Sequence, residues 1–209
     1  MFYFFVLLAV ALSLALLFSV IRNGRFRTWA KAYRIVIVAV TTGVFVFLFF
    51  QKSTYQFREN SLTLQLINKL PFPLDFYLIK INNTKDEDAK YETRHIGKIR
   101  NNYYRIDYLS MKDSNEYWIA GYMGAKKLVY FSQHSVPNKN EDQIIEVQNY
   151  IVQTAKFADT AQLKIAELKL DNIKTAIWIT LDLLLLFLNL MLLVRKEKQK
   201  IPTVLAGIS

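Results

Sequence analysis

The side chains best placed to do chemistry in this chain lie inside its most apolar stretches. Asp182 is the one charged residue between Thr175 and Val194, and Asn189 follows it by one heptad. Thr175, Asp182, Asn189 and Lys196 therefore share a narrow helical stripe. Thr41 and Thr42 lie at a comparable depth in another apolar run, eight or nine residues from its outer end. A carboxyl group roughly 10 Å inside a bilayer, reckoned from helical rise, is costly and turns toward protein or water. Three kinds of chemistry suit it. The first is an interhelical hydrogen bond to Thr41 or Thr42, within one chain or between chains. The second is an ion pair with a basic residue in a partner's span. The third is a proton or ion relay, which needs further ionisable groups in the neighbouring spans, and those spans hold none.

Elsewhere the catalytic repertoire is thin. There is no Gly-rich phosphate loop, no Gly-x-Ser-x-Gly elbow and no pair of histidines at metal-binding spacing. His95 and His134 fall in β-prone or turn segments and read as surface or hydrogen-bonding residues. Asp86, Glu87 and Asp88 lie in a polar run with Lys85 and Lys90 that reads as a solvated loop, without the ligand spacing of a calcium site. Asn82-Asn83-Thr84 matches a glycosylation sequon, a three-residue pattern of little weight. With two histidines and no cysteine, the chain has little from which to build a transition-metal site, and no disulfide. The expectation is a protein with no catalytic, cofactor-binding or metal-binding residues.

These residues are set in three apolar runs, 1–21, 35–50 and 175–194, whose lengths are close to the roughly 20 residues a helix needs to cross a hydrocarbon core of about 30 Å. The segment 22–34 carries Arg22, Arg25, Arg27, Lys31 and Arg34 with no acid, and Arg195, Lys196, Lys198 and Lys200 follow the last run. Basic residues beside spans mark the cytoplasmic side. The solution is an external N-terminus, a cytoplasmic basic linker over 22–34, an external region over 51–174 and a cytoplasmic tail over 195–209. Tyr3, Tyr55 and Trp178 then sit at the outer interface, and Trp29 and Tyr33 at the inner one. Reading 1–21 as a cleaved signal peptide is disfavoured, because its positive charges follow the run instead of preceding it. The formal net charge of +10 comes mostly from these flanking segments, which argues against nucleic acid as a partner. It also allows the cytoplasmic basic segments to contact anionic lipid.

The external region divides in two. Over 51–137, Leu62, Leu64 and Leu66 alternate with polar neighbours, the period of a half-buried strand. Leu74 to Ile81, Tyr103 to Leu109, Tyr117 to Met123 and Leu128 to Phe131 are further β-prone runs. Between them lie turn-like stretches at Asn82 to Lys85, Asn101-Asn102, Lys112 to Asn115 and around Gly124. Pro71 and Pro73 belong to a connection or an edge, and Trp118 reads as a core filler. This spacing predicts an antiparallel β-sandwich-like domain. Over 138–174, without glycine or proline, the expectation is an amphipathic helix that starts at Asn140 with a capping-box variant and leads into the third span. Its apolar stripe runs through Ile144, Val147, Ile151, Ala158, Ala161, Ile165 and Leu168. That stripe packs either on the β domain or on another chain.

The fold expected is thus a membrane protein with three transmembrane helices, an extracytoplasmic antiparallel β-sandwich-like domain and a long helix leading into the third span. The function expected is that of a non-enzymatic accessory or scaffold subunit of a multiprotein inner-membrane complex serving secretion, envelope assembly or transport. Its partners would be other membrane protein subunits and the lipid bilayer, and its location a bacterial inner membrane. The alternative is a membrane-anchored ligand-binding or sensing module.

Overall fold

A computed structural model describes residues 2–20, 26–54, 62–82, 90–111, 114–124, 126–139 and 141–194. The chain divides into two compact units, Met1–Lys52 with Ile173–Ser209, and Ser53–Asn172. The first is helical. It holds α1 (Phe2–Phe18), α2 (Phe26–Thr54) and the later part of α3 (Ala155–Val194). Two helices carry stretches long and apolar enough to cross a membrane, Thr28–Gln51 and Ala155–Val194. Helix α1, at 17 residues, is shorter. Helix α2 begins nine residues before the uncharged run at Ile35, because Thr28 to Arg34 offers no glycine or proline to stop it and alanines at 30 and 32 favour it. Residues 22–25 of the basic linker and the tail 195–209 lie outside the described residues.

Within this unit α1 and α2 form an antiparallel pair. Phe18 meets the edge of Tyr33 at 5.3 Å between ring centroids, and Phe5 stacks on Phe45 at 6.5 Å. Leu8 and Leu12 of α1, Val38 of α2 and Leu186 of α3 form its small buried core.

The second unit has seven strands: β1 (Leu62–Asn68), β2 (Leu74–Asn82), β3 (Lys90–Ile99), β4 (Tyr103–Leu109), β5 (Ser114–Met123), β6 (Lys127–Ser135) and β7 (Gln143–Val147). They make a three-stranded sheet in the order β4-β1-β7 and a four-stranded sheet in the order β3-β2-β5-β6. Leu62, Leu64 and Leu66 point from β1 into the space between the sheets and meet Leu74, Phe76 and Leu78 of β2 and Tyr117 and Ile119 of β5. The alternation in β1 follows from one buried face. Strands β2 and β5 read instead as continuous apolar runs because both their faces are covered. Their second face carries Tyr77, Ile79, Ile81, Trp118 and Ala120, which pack against Ala158, Ala161 and Ile165 of α3. The small alanines let the helix lie close to the sheet. Gly121 meets a similar demand inside the sandwich, since a Cβ there would come within 2.9 Å of the Phe76 ring.

The expected helix over 138–174 is corrected in its first half. Residues 143–147 form β7, which joins β1 in parallel, so the sandwich is not wholly antiparallel. The helix starts at Ala155, and Asn140, its expected cap, lies outside the described residues. A short run such as Gln-Ile-Ile-Glu-Val fits a period of 3.6 and a period of 2 alike. Its β-branched residues and the free edge of β1 decide for the strand. Ile144, Val147 and Ile151 consequently lie on no helix. Strand β3, with Glu92, Arg94 and Lys98 interrupting its apolar residues, gave no comparable sequence signal.

Candidate functional site

The helical unit gathers the polar residues that its sequence isolates. Among the described residues its buried polar side chains are Arg34, Thr41, Asp182 and Asn189. Asn189 Nδ2 donates to the backbone carbonyls of Leu12 (3.1 Å) and Leu185 (2.9 Å). Arg34 Nη2 reaches the Asn189 carbonyl at 3.5 Å. Asn189 thereby ties α3 to α1 and sits level with Arg34 of α2. Seven residues along α2 from Arg34 is Thr41, and seven residues back along α3 from Asn189 is Asp182. Both steps are about 10 Å of helical rise, and Val38 and Leu186 lie part-way along them in the same core. This register brings Thr41 and Asp182 to the same level of the bundle.

The expected hydrogen bond between them is not formed. Asp182 is 0% exposed and both of its carboxyl oxygens lack a hydrogen-bond partner, as does the Thr41 hydroxyl. Thr42 is exposed, and its hydroxyl donates to the Val38 carbonyl one turn back at 2.8 Å. One residue's rotation around the helix separates the two threonines, and the second satisfies itself locally. Asp182 is also fully buried within the chain, so a side chain from another chain reaches it only if the packing around it opens.

This arrangement reverses the sign of one substitution. A buried polar group without a partner costs about 1–3 kcal/mol, and an apolar group of the same shape removes that cost. Leucine branches where the aspartate carboxyl does. Asp182→Leu should therefore raise the resistance of the helical unit to unfolding in detergent. Asn189→Leu should lower it by less, because it breaks the hydrogen bond from α3 to the Leu12 carbonyl but also removes the partnerless Asn189 Oδ1. Thermal unfolding of the two variants side by side checks the contrast.

In the sandwich unit, the polar clusters consume their own groups. Asp75 takes a hydrogen bond from the Tyr77 hydroxyl (3.0 Å) through one oxygen and meets His95 Nε2 (2.7 Å) through the other. The His95 ring stacks on Tyr77 at 4.6 Å, and Lys169 Nζ stands over the Tyr77 and Tyr122 rings at 5.0 and 4.9 Å. Burial, then the hydrogen bond to Asp75, pushes the Tyr77 phenol well up, so it stays protonated. His134 contacts Ser132 Oγ at 2.7 Å, but Ser132 is buried and offers no approach to a substrate. Burial also holds the His134 imidazole below its usual value. Trp118 is buried, with its indole N–H donating to Glu116 at 2.6 Å. No group of three or more His, Cys, Asp and Glu among the described residues could hold a metal ion.

The most open feature of this unit is the outer face of the three-stranded sheet. Side chains opposite to the buried Leu62, Leu64 and Leu66 are Thr63, Gln65 and Ile67 of β1. In register beside them stand Tyr108, Ile106 and Tyr104 of β4, and Ile144 of β7 pairs with Gln65. Tyr104, Ile106 and Ile144 are 58%, 49% and 63% exposed. No described element covers this face, whereas α3 covers the outer face of the other sheet. The residues expected on one helical stripe thus divide four ways. Ile144 belongs to the open face. Val147 is in the sandwich core, and the exposed Ile151 offers its carbonyl to the Phe131 N–H at 2.7 Å. Ala158, Ile165 and Leu168 pack on the four-stranded sheet. Tyr104, Ile106 and Tyr108 were not singled out by sequence. Their shared parity in Tyr103 to Leu109 was the available signal, blurred by Tyr103 on the opposite face.

No protein family, curated protein or solved structure matches this chain.

Proposed function

We propose that this protein is a non-enzymatic accessory or scaffold subunit of a multiprotein complex in a bacterial inner membrane. The observation that carries this reading is the uncovered aromatic and aliphatic face formed by Tyr104, Ile106, Tyr108, Ile67 and Ile144. Exposed apolar surface framed by polar residues suits protein contact, and tyrosine is enriched in the buried centres of interfaces. In this reading α1, α2 and α3 all span the bilayer. The N-terminus and the sandwich are outside, and the basic linker and tail are cytoplasmic. The membrane helices supply a second contact surface through their lipid-facing residues, while Asn189, bonded to the Leu12 carbonyl and approached by Arg34, ties the three helices together. Secretion, envelope assembly and transport complexes all use subunits of this kind.

The alternative, a sensing module, draws on the single helix α3, which contributes to the sandwich core and also carries the last apolar run. It requires a ligand site in the sandwich, and the buried or mutually paired polar clusters described above offer none.

Two experiments test the proposal. A photocrosslinking residue in place of Tyr104 should capture one protein species in native membranes, and the same residue in place of the core Phe76 should capture none. Ile106→Asp should abolish that capture while the domain stays folded, since the side chain is already half exposed. Unchanged capture in Ile106→Asp would remove the sheet face from the proposal. For the topology, a reporter fused after Ser209 should be active only on the cytoplasmic side, and one placed in the Asn82 to Lys85 segment only on the external side. Protection of the sandwich inside intact cells would overturn the orientation.

A further inference from the structure

We infer that the end of the sandwich from which α3 departs is a basic collar for anionic lipid headgroups of the bilayer in which the chain is anchored. The strand registers assemble it. Asn68 closes β1, its Nδ2 donates to the Ile99 carbonyl at 2.9 Å, and Asn102 N donates to the Asn68 carbonyl at 2.7 Å. Lys69 and Arg100 are thereby brought to one end of the domain. Asp75 pairs with Lys98 on one side and with Tyr122 on the other, and Met123 pairs with Lys127, so the β5–β6 turn with Lys126 lies at the same end. Lys69, Lys98, Arg100, Lys126 and Lys127 are all exposed. Lys169 of α3 stands there too, over Tyr77 and Tyr122.

The acids nearby do not balance these charges. The Asp75 carboxylate is taken up by Tyr77 and His95, which leaves Glu146 and, on α3, Asp171 against six basic side chains. The opposite end is different in kind. Glu116 pairs there with Ser135, and Glu141 and Asp142 precede β7. Among the described residues, exposed basic side chains are therefore concentrated at the end from which α3 departs, while the opposite end sets Lys139 against Glu141 and Asp142. Aromatic side chains accompany the basic end, with Phe72 at 54% and Tyr103 at 62% exposure. Aromatic and basic residues together are the usual composition of a membrane–water interface.

Covalent continuity supplies the lipid. From Lys169, six helical residues lead to Thr175, where the uncharged run begins. That is about 9 Å of rise, close to the Debye length of about 8 Å at physiological ionic strength. On the topology proposed above, on which this inference rests, the collar is external and distinct from the cytoplasmic basic segments. It is independent of which partner the open sheet face meets.

The test uses the full chain in nanodiscs made either of phosphatidylcholine alone or of an equal mixture with phosphatidylglycerol. Amide hydrogen exchange is read at the 69–72 and 124–127 connections. Exchange there should be slower in the phosphatidylglycerol discs, and the difference should vanish at high salt. It should also vanish in a variant carrying Lys69→Glu, Arg100→Glu, Lys126→Glu and Lys127→Glu, with exchange in β2 and β5 unchanged as the control for folding. Equal exchange in the two lipids would overturn the inference, as would protection that survives charge reversal. The same protection produced by inorganic phosphate in phosphatidylcholine discs would identify a free-anion site and overturn the assignment to lipid.

Discussion

Replacing Leu64 with aspartate will unfold the sandwich unit. Leu64 is 0% exposed at the centre of β1, and its strand is hydrogen-bonded on both sides, to β4 and to β7. Its side chain lies among Phe76, Leu78, Ile119 and the rest of the core between the sheets. No basic residue belongs to that cluster, so the new carboxylate would have no ion partner. Burying an unpaired charge costs several kcal/mol, against a total stability of about 5–15 kcal/mol for a typical domain. The full chain in detergent should lose its β signal in circular dichroism and become sensitive to protease between residues 62 and 147. Thr63→Asp, one residue away on the outer face, should change stability by less than about 1 kcal/mol. Similar effects from both substitutions would contradict the register of β1.

Ile165→Asp will have the second large effect, and it distinguishes the two fates open to the amphipathic stripe. Ile165 is 1% exposed and packs with Ala158 and Ala161 on the face of the four-stranded sheet that carries Ile79, Trp118 and Phe131. An aspartate there meets an apolar sheet and should destabilise the sandwich by several kcal/mol. Ile151→Asp should do little, because Ile151 is 45% exposed and contributes its backbone carbonyl to the edge of β6. A folded Ile165→Asp protein that has lost only an interaction partner would mean that the stripe serves another chain.

Comparison of residues with structure shows where the pattern was readable. The alternation of Leu62, Leu64 and Leu66 marked a strand with one buried face, and the prolines at 71 and 73 marked the connection after it. Asn68 escaped notice. It organises that connection by donating to the Phe72 and Ile99 carbonyls and accepting from the Leu70 N–H, and no local pattern distinguishes such an asparagine from a surface one. Strand β7 was misread because Ile144, Val147 and Ile151 satisfy a helical period over a segment too short to separate the two periods. Its parallel partner is about 80 residues away in sequence, so only tertiary pairing settles its state. Asp182 was recognisable as an anomaly in an apolar run. Its lack of a partner was not, because the rotation that buries Thr41 and exposes Thr42 arises only in the packed bundle. The open sheet face depends likewise on knowing which side of β1 the helix leaves uncovered.

We propose above that this chain is a subunit of a larger membrane assembly. Purification of the chain from native membranes in mild detergent, with quantitative identification of every co-purifying chain, tests that claim most directly. At least one membrane protein should co-purify in fixed stoichiometry, retained by the native chain and by Ile151→Asp, which lies off the open sheet face, but lost from Ile106→Asp. A chain recovered alone, with a small molecule bound to its sandwich unit, would contradict it.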